Sequence, residues 1–316
     1  MKKILSNILT FVVLLFLLIN LLLKSSNIQN SIQLAFDIWK NNLFPSLFPM
    51  FVLSEIFISL NLADYFSKFT HPFTRKLFNS HKLTGYILFM GILTGFPGSA
   101  KIIYQFYQQQ KISMKEAEKL LLFTHFSNPL FIINTIAISF LQNKNLAILI
   151  FISHYLSNII IGILLKKYHP SEKEITNTSF YNTRDNTSKN NFGVVLGQAI
   201  LNSMNTLFLI LGTISIFLCF TTILRSVLSL GEVENSILSG ILEMSQGLNY
   251  IRFTDISLRL KTTLSVMFIS FGGFSVHLQI MAILSNTSIK YLPFLLTRIL
   301  HAIIASFLAY FLFPLF

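Results

Sequence analysis

The apolar residues of this chain occur in runs long enough to cross a lipid bilayer. Ile4 to Leu23 and Leu146 to Leu165 are each 20 residues long and contain no Asp, Glu, Lys or Arg. Twenty helical residues rise about 30 Å, which is the thickness of a bilayer's hydrocarbon core. Hydrophobic residues make up 53% of the chain and charged residues only 11%, a composition that excludes a water-soluble enzyme. The sequence predicts an all-α polytopic membrane protein.

The charged residues lie mainly at the ends of these apolar runs, and this placement accounts for the formal net charge of +12. Basic residues concentrate in residues 65–82 and in the polar stretch 166–191, with no basic stripe of the kind that nucleic acid requires. The positive-inside rule therefore predicts that both stretches and the N-terminus lie on the cytoplasmic side. Arg252, Arg259 and Lys261 would then lie outside, against the rule. No nucleic-acid partner is expected; the expected surroundings are the lipid bilayer.

These patterns divide the chain into four parts. Residues 1–27 are predicted to form an N-terminal transmembrane anchor, and 28–165 a first repeat. Residues 166–191, rich in Asn, Ser and Thr, are a linker, and 192–316 form a second repeat. Within the first repeat, residues 27–42 have the mixed pattern of an interfacial helix, with Trp39 at headgroup depth.

Two apolar stretches are long enough to cross only half of a bilayer, and each is followed by a break. Gly85 to Leu93 precedes the turn Gly95-Phe96-Pro97-Gly98-Ser99, which predicts a re-entrant hairpin. In the second repeat, Ile237 to Gln246 precedes a break placed at Gly247-Leu248-Asn249. The two repeats are therefore predicted to contain one hairpin each.

Two longer stretches are interrupted in the middle, one at Ser127-Asn128-Pro129 and the other at Gly272-Gly273. Each repeat then has three crossings and one hairpin, and an odd number of crossings inverts the second repeat relative to the first. Inverted repeats with broken helices are typical of secondary transporters, whose substrate site lies where the half-helices meet.

Ionisable groups at membrane depth are costly, so they are candidates for function. Lys101 follows the Gly95–Ser99 turn in the first turn of a helix, where a cation and free amides would favour an anion; alternatively, its side chain only extends to the interface. Glu55 and Glu243 are candidates for a coupling proton or cation, or are packing acids. The remaining ionisable groups at this depth are His125, His154, His277, Arg298 and His301.

The candidate substrate-binding residues lie at and around the predicted breaks. His277 could alternatively make an ordinary interhelical hydrogen bond. The full set is Gly95, Pro97, Gly98, Ser99, Lys101, Ser127, Asn128, Gly272, Gly273, Ser275, His277 and Gln279.

Catalytic chemistry has no motif in this sequence. There is no GxSxG, HExxH or phosphate-binding loop, and the single cysteine, Cys219, lies within an apolar run. We therefore expect no enzyme activity, no metal and no cofactor.

Four segments carry a resemblance to a known family. LFPSLFPMFVLSE (Leu43–Glu55), GFPGSAK (Gly95–Lys101), FSNPLFI (Phe126–Ile132) and FGGFSVHLQ (Phe271–Gln279) resemble the YlbJ-type family of sporulation integral membrane proteins, whose halves are classed as nucleoside-recognition or Gate domains. The resemblance implies a protein of the mother-cell-derived membrane around the forespore that moves dipicolinic acid into the developing spore. It assigns no residue roles.

The sequence thus leaves two classes of function open. The first is a transporter or channel for a small organic anion, with dipicolinate as the leading substrate and a nucleoside as the alternative. The second is a non-transporting assembly or regulatory factor that acts with other sporulation membrane proteins or as a homo-oligomer. Broken helices and buried ionisable groups favour transport.

Overall fold

A computed structural model describes residues 2–169 and 191–316, and these residues form α-helices joined by short loops. Positions 170–190, most of the predicted linker, lie outside the described residues. In the first half the helices are α1 (Lys2–Leu23), α2 (Ser25–Ile38), α3 (Phe44–Ser59), α4 (Leu62–Phe78), α5 (Thr84–Thr94), α6 (Gly98–Gln108), α7 (Met114–Phe123), a π-helix (Phe131–Phe140) and α8 (Leu146–Leu164). In the second half they are α9 (Phe192–Val227), α10 (Glu232–Leu242), α11 (Met244–Ile251), α12 (Leu258–Phe271), α13 (Gly273–Ile283) and α14 (Tyr291–Leu312).

Several of these helices have the length and apolar character of membrane spans. Within the described residues there are five such spans: Ser25–Ser59, Leu146–Lys167, Phe192–Val227, Leu258–Ile283 and Tyr291–Leu315. The prediction of an all-α polytopic membrane protein is thereby confirmed. Helix α1 matches the predicted N-terminal anchor in extent, and its exposed Phe11, Leu22 and Leu23 present an apolar surface suited to lipid. That α1 spans the bilayer stays a prediction.

Corresponding helices of the two halves pack against each other in opposite directions. The first long helix of the first half, Ser25–Ser59, lies along α9: Ser31 near its start hydrogen-bonds Thr222 near the end of α9 (2.7 Å), and Glu55 near its end accepts a hydrogen bond from Asn202 (3.0 Å). The last helices also run antiparallel: Asn158 of α8 accepts from Arg298 of α14, and His154, earlier in α8, bonds through its carbonyl to His301, later in α14. This antiparallel pairing is the relation that an inverted repeat requires.

The prediction that residues 27–42 form a separate interfacial helix is wrong. Helices α2 and α3 join through a π-helical turn, Trp39–Leu43, into one continuous 35-residue helix. The indole of Trp39 donates to the Leu207 carbonyl of α9 at 2.9 Å. Trp39, predicted to lie at headgroup depth, and Ser31 thus bond to α9 within the protein.

The two predicted hairpins are present, but one of them turns at a different residue. Helices α5 and α6 meet at Gly95-Phe96-Pro97 as predicted. In the second half, α10 ends at Leu242 and α11 begins at Met244, so the break is at Glu243 rather than at Gly247-Leu248-Asn249. Gly247 lies inside α11, where its Cα packs closely against Gly240 of α10. Gly247 therefore allows α10 and α11 to pack closely and does not form the turn between them.

The two interrupted helices are confirmed. Ser113 caps α7 by accepting from the Glu116 amide at 3.3 Å, and α7 then stops at Phe123, before the Ser127–Pro129 break. Helix α12 stops at Phe271, and Gly272, with φ +91°, turns the chain into α13.

Candidate functional site

The tip of each hairpin packs against the interrupted helix of its own half. A Cβ atom at Gly95, in the first hairpin, would lie 2.9 Å from the backbone nitrogen of Asn128. A Cβ atom at Gly273, in the second interrupted helix, would lie 2.9 Å from the backbone nitrogen of Met244, which follows the Glu243 turn. In each half a glycine therefore brings two helix breaks into backbone contact, and the two contacts correspond to each other.

A cavity lies between these two contacts and is lined by both halves of the protein. Its polar lining comes from Ser127, Asn128, Glu243 and Gln279, and the rest is mainly apolar. The apolar members include Phe96 and Phe131 of the first half and Ile210, Ile214 and Val276 of the second. A mainly apolar lining with a few convergent polar groups is the composition of a small-molecule site, but the enclosed volume of about 20 Å³ has room for only about one water molecule, so a larger solute enters only after the lining moves.

The carbonyl ends of the two interrupted helices are bonded by buried side-chain donors. Arg298 donates to the carbonyl of Leu122 at the end of α7 and to that of His125 at 3.3 Å. Tyr155 donates to the Ser127 carbonyl at 2.9 Å. His277 bonds the Phe271 carbonyl at the end of α12 at 2.9 Å. The partial negative charge that a helix carries at its C-terminus is thus countered at these breaks.

At the N-terminal ends of the half-helices, side chains bond the free amides in two cases and not in two others. The side chain of Asn128 accepts from the Phe131 amide, at the start of the π-helix, at 2.7 Å, and Glu243 caps α11 by accepting from the Gln246 amide at 2.8 Å. Helices α6 and α13 have no side-chain cap. Each helix start carries a partial positive charge of roughly half an elementary charge. Two uncapped starts, one from each half, therefore favour an anion near the cavity.

The structure places five of the fourteen predicted site residues in the lining of the cavity. Gly95, Ser127, Asn128, Gln279 and the coupling candidate Glu243 line the cavity. Six more predicted residues are buried at the breaks, close in sequence to residues that line the cavity. They are Pro97, Gly98, Ser99, Gly272, Gly273 and Ser275. Lys101, His277 and the second coupling candidate, Glu55, do not line it.

Lys101 is not the free cation that the sequence predicted. Its ammonium group forms an ion pair with Glu55 at 2.7 Å and also donates to the carbonyl of Asn202 and the hydroxyl of Thr206, each at 3.0 Å. Glu55 accepts further bonds from Gln105 and Asn202. The pair joins α3, α6 and α9, so both charges are compensated and serve to hold these helices together.

We expect Lys101→Met to destabilise the protein by about 2 kcal/mol or more, because it leaves the Glu55 carboxylate buried without its cation. Adding Glu55→Gln should recover part of that loss. Thermal unfolding of the single and double variants in detergent measures the coupling. Uptake of charged and neutral solutes should fall in the same proportion; a selective loss for anions at unchanged stability would instead place Lys101 at the substrate.

His277 is held by two hydrogen bonds, one to the Tyr291 hydroxyl at 3.0 Å and one to the Phe271 carbonyl. Its role in the structure is the interhelical bond that the sequence left open as the alternative. Gln279, nearly two turns into α13 from the break, lines the cavity and donates to Thr213 of α9 at 2.8 Å.

From the sequence, Arg298 is one of several ionisable groups at membrane depth. In the structure its guanidinium connects α14 to three segments of the first half. Its side chain is fully buried, and among the described residues no carboxylate lies within ion-pairing distance. It bonds α7, the chain at His125 and Asn158 of α8. A buried arginine without a counter-ion adds positive potential to the region where the two halves meet.

Comparison with known proteins agrees with this architecture. Over 300 residues the chain is 32% identical to the sporulation integral membrane protein YlbJ of Bacillus subtilis (strain 168), a match that covers 85% of this chain and 74% of that protein. No protein-family model matches the chain. No solved structure matches it either.

Proposed function

The chain belongs to the YlbJ family of sporulation integral membrane proteins, and from that premise we propose that it transports a small organic anion across a membrane during sporulation. The observation that carries this proposal is the pair of uncapped helix starts, α6 from one half and α13 from the other, beside a cavity lined by both halves. Half-helix starts that point toward an anionic group are a recurrent device of secondary transporters.

Each uncapped helix start also carries a buried serine hydroxyl that makes no hydrogen bond within the described residues. Ser99 in the first turn of α6 and Ser275 in that of α13 are fully buried, and their hydroxyls have no hydrogen-bond partner within the described residues. Buried hydroxyls in folded proteins are normally bonded. Two such serines, one from each half, support the binding of a solute with two acceptor groups.

Dipicolinate is the substrate that we favour, on the strength of the family resemblance together with this arrangement. It is a flat dianion with a carboxylate at each side of its ring, and the two uncapped helix starts belong to opposite halves of the protein. Entry into the forespore across the mother-cell-derived membrane is the direction that the resemblance implies. Glu243, buried at the cavity, is our candidate for a coupling proton or cation, whereas Glu55 is committed to its ion pair with Lys101.

Uptake into proteoliposomes tests this function. Purified protein should take up labelled dipicolinate saturably, and labelled uridine far more weakly, with and without an imposed pH gradient. Gly197→Ala is the control variant and should take up dipicolinate like the wild type, because the added Cβ meets nothing within 4 Å. Preferential uptake of uridine would favour nucleoside transport, and uptake of neither solute above protein-free vesicles would favour an assembly or regulatory role.

A further inference from the structure

One buried histidine differs from the others in the core. His154 bonds the Ser127 amide and the Ser270 hydroxyl, each at 2.9 Å, and both ring nitrogens of His277 and of His301 also have partners. His125 is fully buried, yet neither of its ring nitrogens has a hydrogen-bond partner within the described residues. An imidazole always has at least one N–H to donate, so His125 retains an unused donor.

The position of this donor connects it with the cavity. The imidazole of His125 stacks on the ring of Phe96, with centroids 4.8 Å apart and planes inclined by 20°. Phe96 belongs to the first hairpin and lines the cavity. On another side, Nε2 of His125 lies 3.2 Å from the place a Cβ would take at Gly272, the break of the second half. The Phe96 ring thus contacts His125 and also lines the cavity, at the junction of both halves.

The backbone of His125 is held in place by hydrogen bonds, which keeps the residue beside the cavity. The His125 carbonyl accepts bonds from Asn158 of α8 and from Arg298 of α14. The next residues along the chain, Ser127 and Asn128, line the cavity. The ring is therefore anchored beside the cavity while its polar atoms stay unused.

Folding alone gives no reason for a histidine here. A buried donor without a partner destabilises a protein, and an apolar side chain of similar shape is neutral or stabilising at such a site. Polar groups that violate local packing rules in this way are found at functional sites. The same position in a purely structural core would favour phenylalanine, which already surrounds it as Phe96 and Phe294.

We propose that His125 is a substrate-binding residue that donates a ring N–H to a carboxylate of the transported anion once Phe96 moves aside. Phe96 then acts as a screen that covers the donor when the cavity is empty of substrate. The inference rests on the proposed anion transport and adds to it a specific recognition group. No proton is transferred in this step; a hydrogen bond is formed to the carboxylate in place of one from water.

The test compares His125→Phe and His125→Gln with His154→Phe as the structural control, all in the full chain. For His125→Phe we expect an unfolding temperature equal to or above that of the wild type, and a KM for dipicolinate raised about 10- to 100-fold, the effect of one hydrogen bond to a charged group. Dipicolinate should also raise the unfolding temperature of this variant less than that of the wild type. His125→Gln, which keeps an N–H donor, should retain part of the affinity.

His154→Phe should behave in the opposite way with respect to stability, because it removes two hydrogen bonds and lowers the unfolding temperature. If both His125 variants lose as much stability as His154→Phe, the residue is structural and the inference is overturned. It is likewise overturned if His125→Phe transports dipicolinate with the wild-type KM. Wild-type protein that neither takes up nor is stabilised by dipicolinate would overturn the proposed function, and the inference with it.

Discussion

Replacing Arg298 with methionine should remove most of the folded protein rather than impair transport alone. The guanidinium is fully buried and bonds the carbonyls of Leu122 and His125 and the side chain of Asn158. The substitution relieves the desolvation of one charge but leaves the Leu122 carbonyl and the Asn158 side-chain oxygen buried without their donor, at about 1–3 kcal/mol each; the His125 carbonyl keeps its bond from Asn158. Losses of that size approach the total stability of an ordinary domain, about 5–15 kcal/mol.

Arg298→Lys should lie between the wild type and Arg298→Met, because one ammonium group cannot reproduce the planar fork that reaches both α7 and α8. The yield of monodisperse protein in detergent and its unfolding temperature are the measurements. Arg75→Met is the control, since Arg75 is exposed on α4. An unchanged unfolding temperature for Arg298→Met would show that the α7 carbonyls do not depend on this side chain.

The breaks that rest on local chemistry were predictable from the sequence. The turn at Gly95–Pro97, the interruption at Ser127–Pro129 and the one at Gly272-Gly273 all contain glycine or proline, which end helices through their own backbone geometry. Such signals act over a few residues and need no knowledge of the rest of the fold. They were sufficient to locate three of the four contacting breaks.

The fourth break shows where local signals fail. Glu243 ends α10 without glycine or proline, and its carboxylate caps the following helix through the Gln246 amide. Gly247 offered a stronger turn signal nearby, but its small size is used for the approach of α11 to Gly240. Whether a glycine serves a turn or a helix contact depends on the neighbouring helix, which the sequence alone does not identify.

The ion pair of Lys101 with Glu55 could not be predicted from the sequence, for a tertiary reason. Lys101 has the right local setting for an anion site, but α3 places Glu55 at 2.7 Å from it. Of the two sources of positive potential that the sequence indicated, the start of α6 remains uncapped while Lys101 is paired; the structure adds the uncapped start of α13 and Arg298, which has no counter-ion among the described residues. Pairings between helices distant in sequence decide which charges remain uncompensated, and no local pattern reveals them.

Alanine at Gly95 should strongly reduce transport while leaving membrane insertion intact. Gly95 has φ +70° and ψ −172°, a backbone conformation that other residues adopt only at a cost of about 1–3 kcal/mol. The added methyl would also meet the Asn128 backbone nitrogen at 2.9 Å, where no side chain can move aside. The hairpin tip must then separate from the break that it contacts, so we expect uptake to fall about tenfold or more.

Gly273→Ala should have a matching effect in the second half, because its φ is also +70° and its methyl would meet the Met244 backbone nitrogen at 2.9 Å. Gly197→Ala and Gly212→Ala are the controls, since a methyl at either position meets nothing within 4 Å. Uptake at matched membrane expression is the measurement. If both halves build the site, both variants must lose transport. Loss in Gly95→Ala together with wild-type uptake in Gly273→Ala would confine the site to the first half and contradict a cavity shared between the repeats.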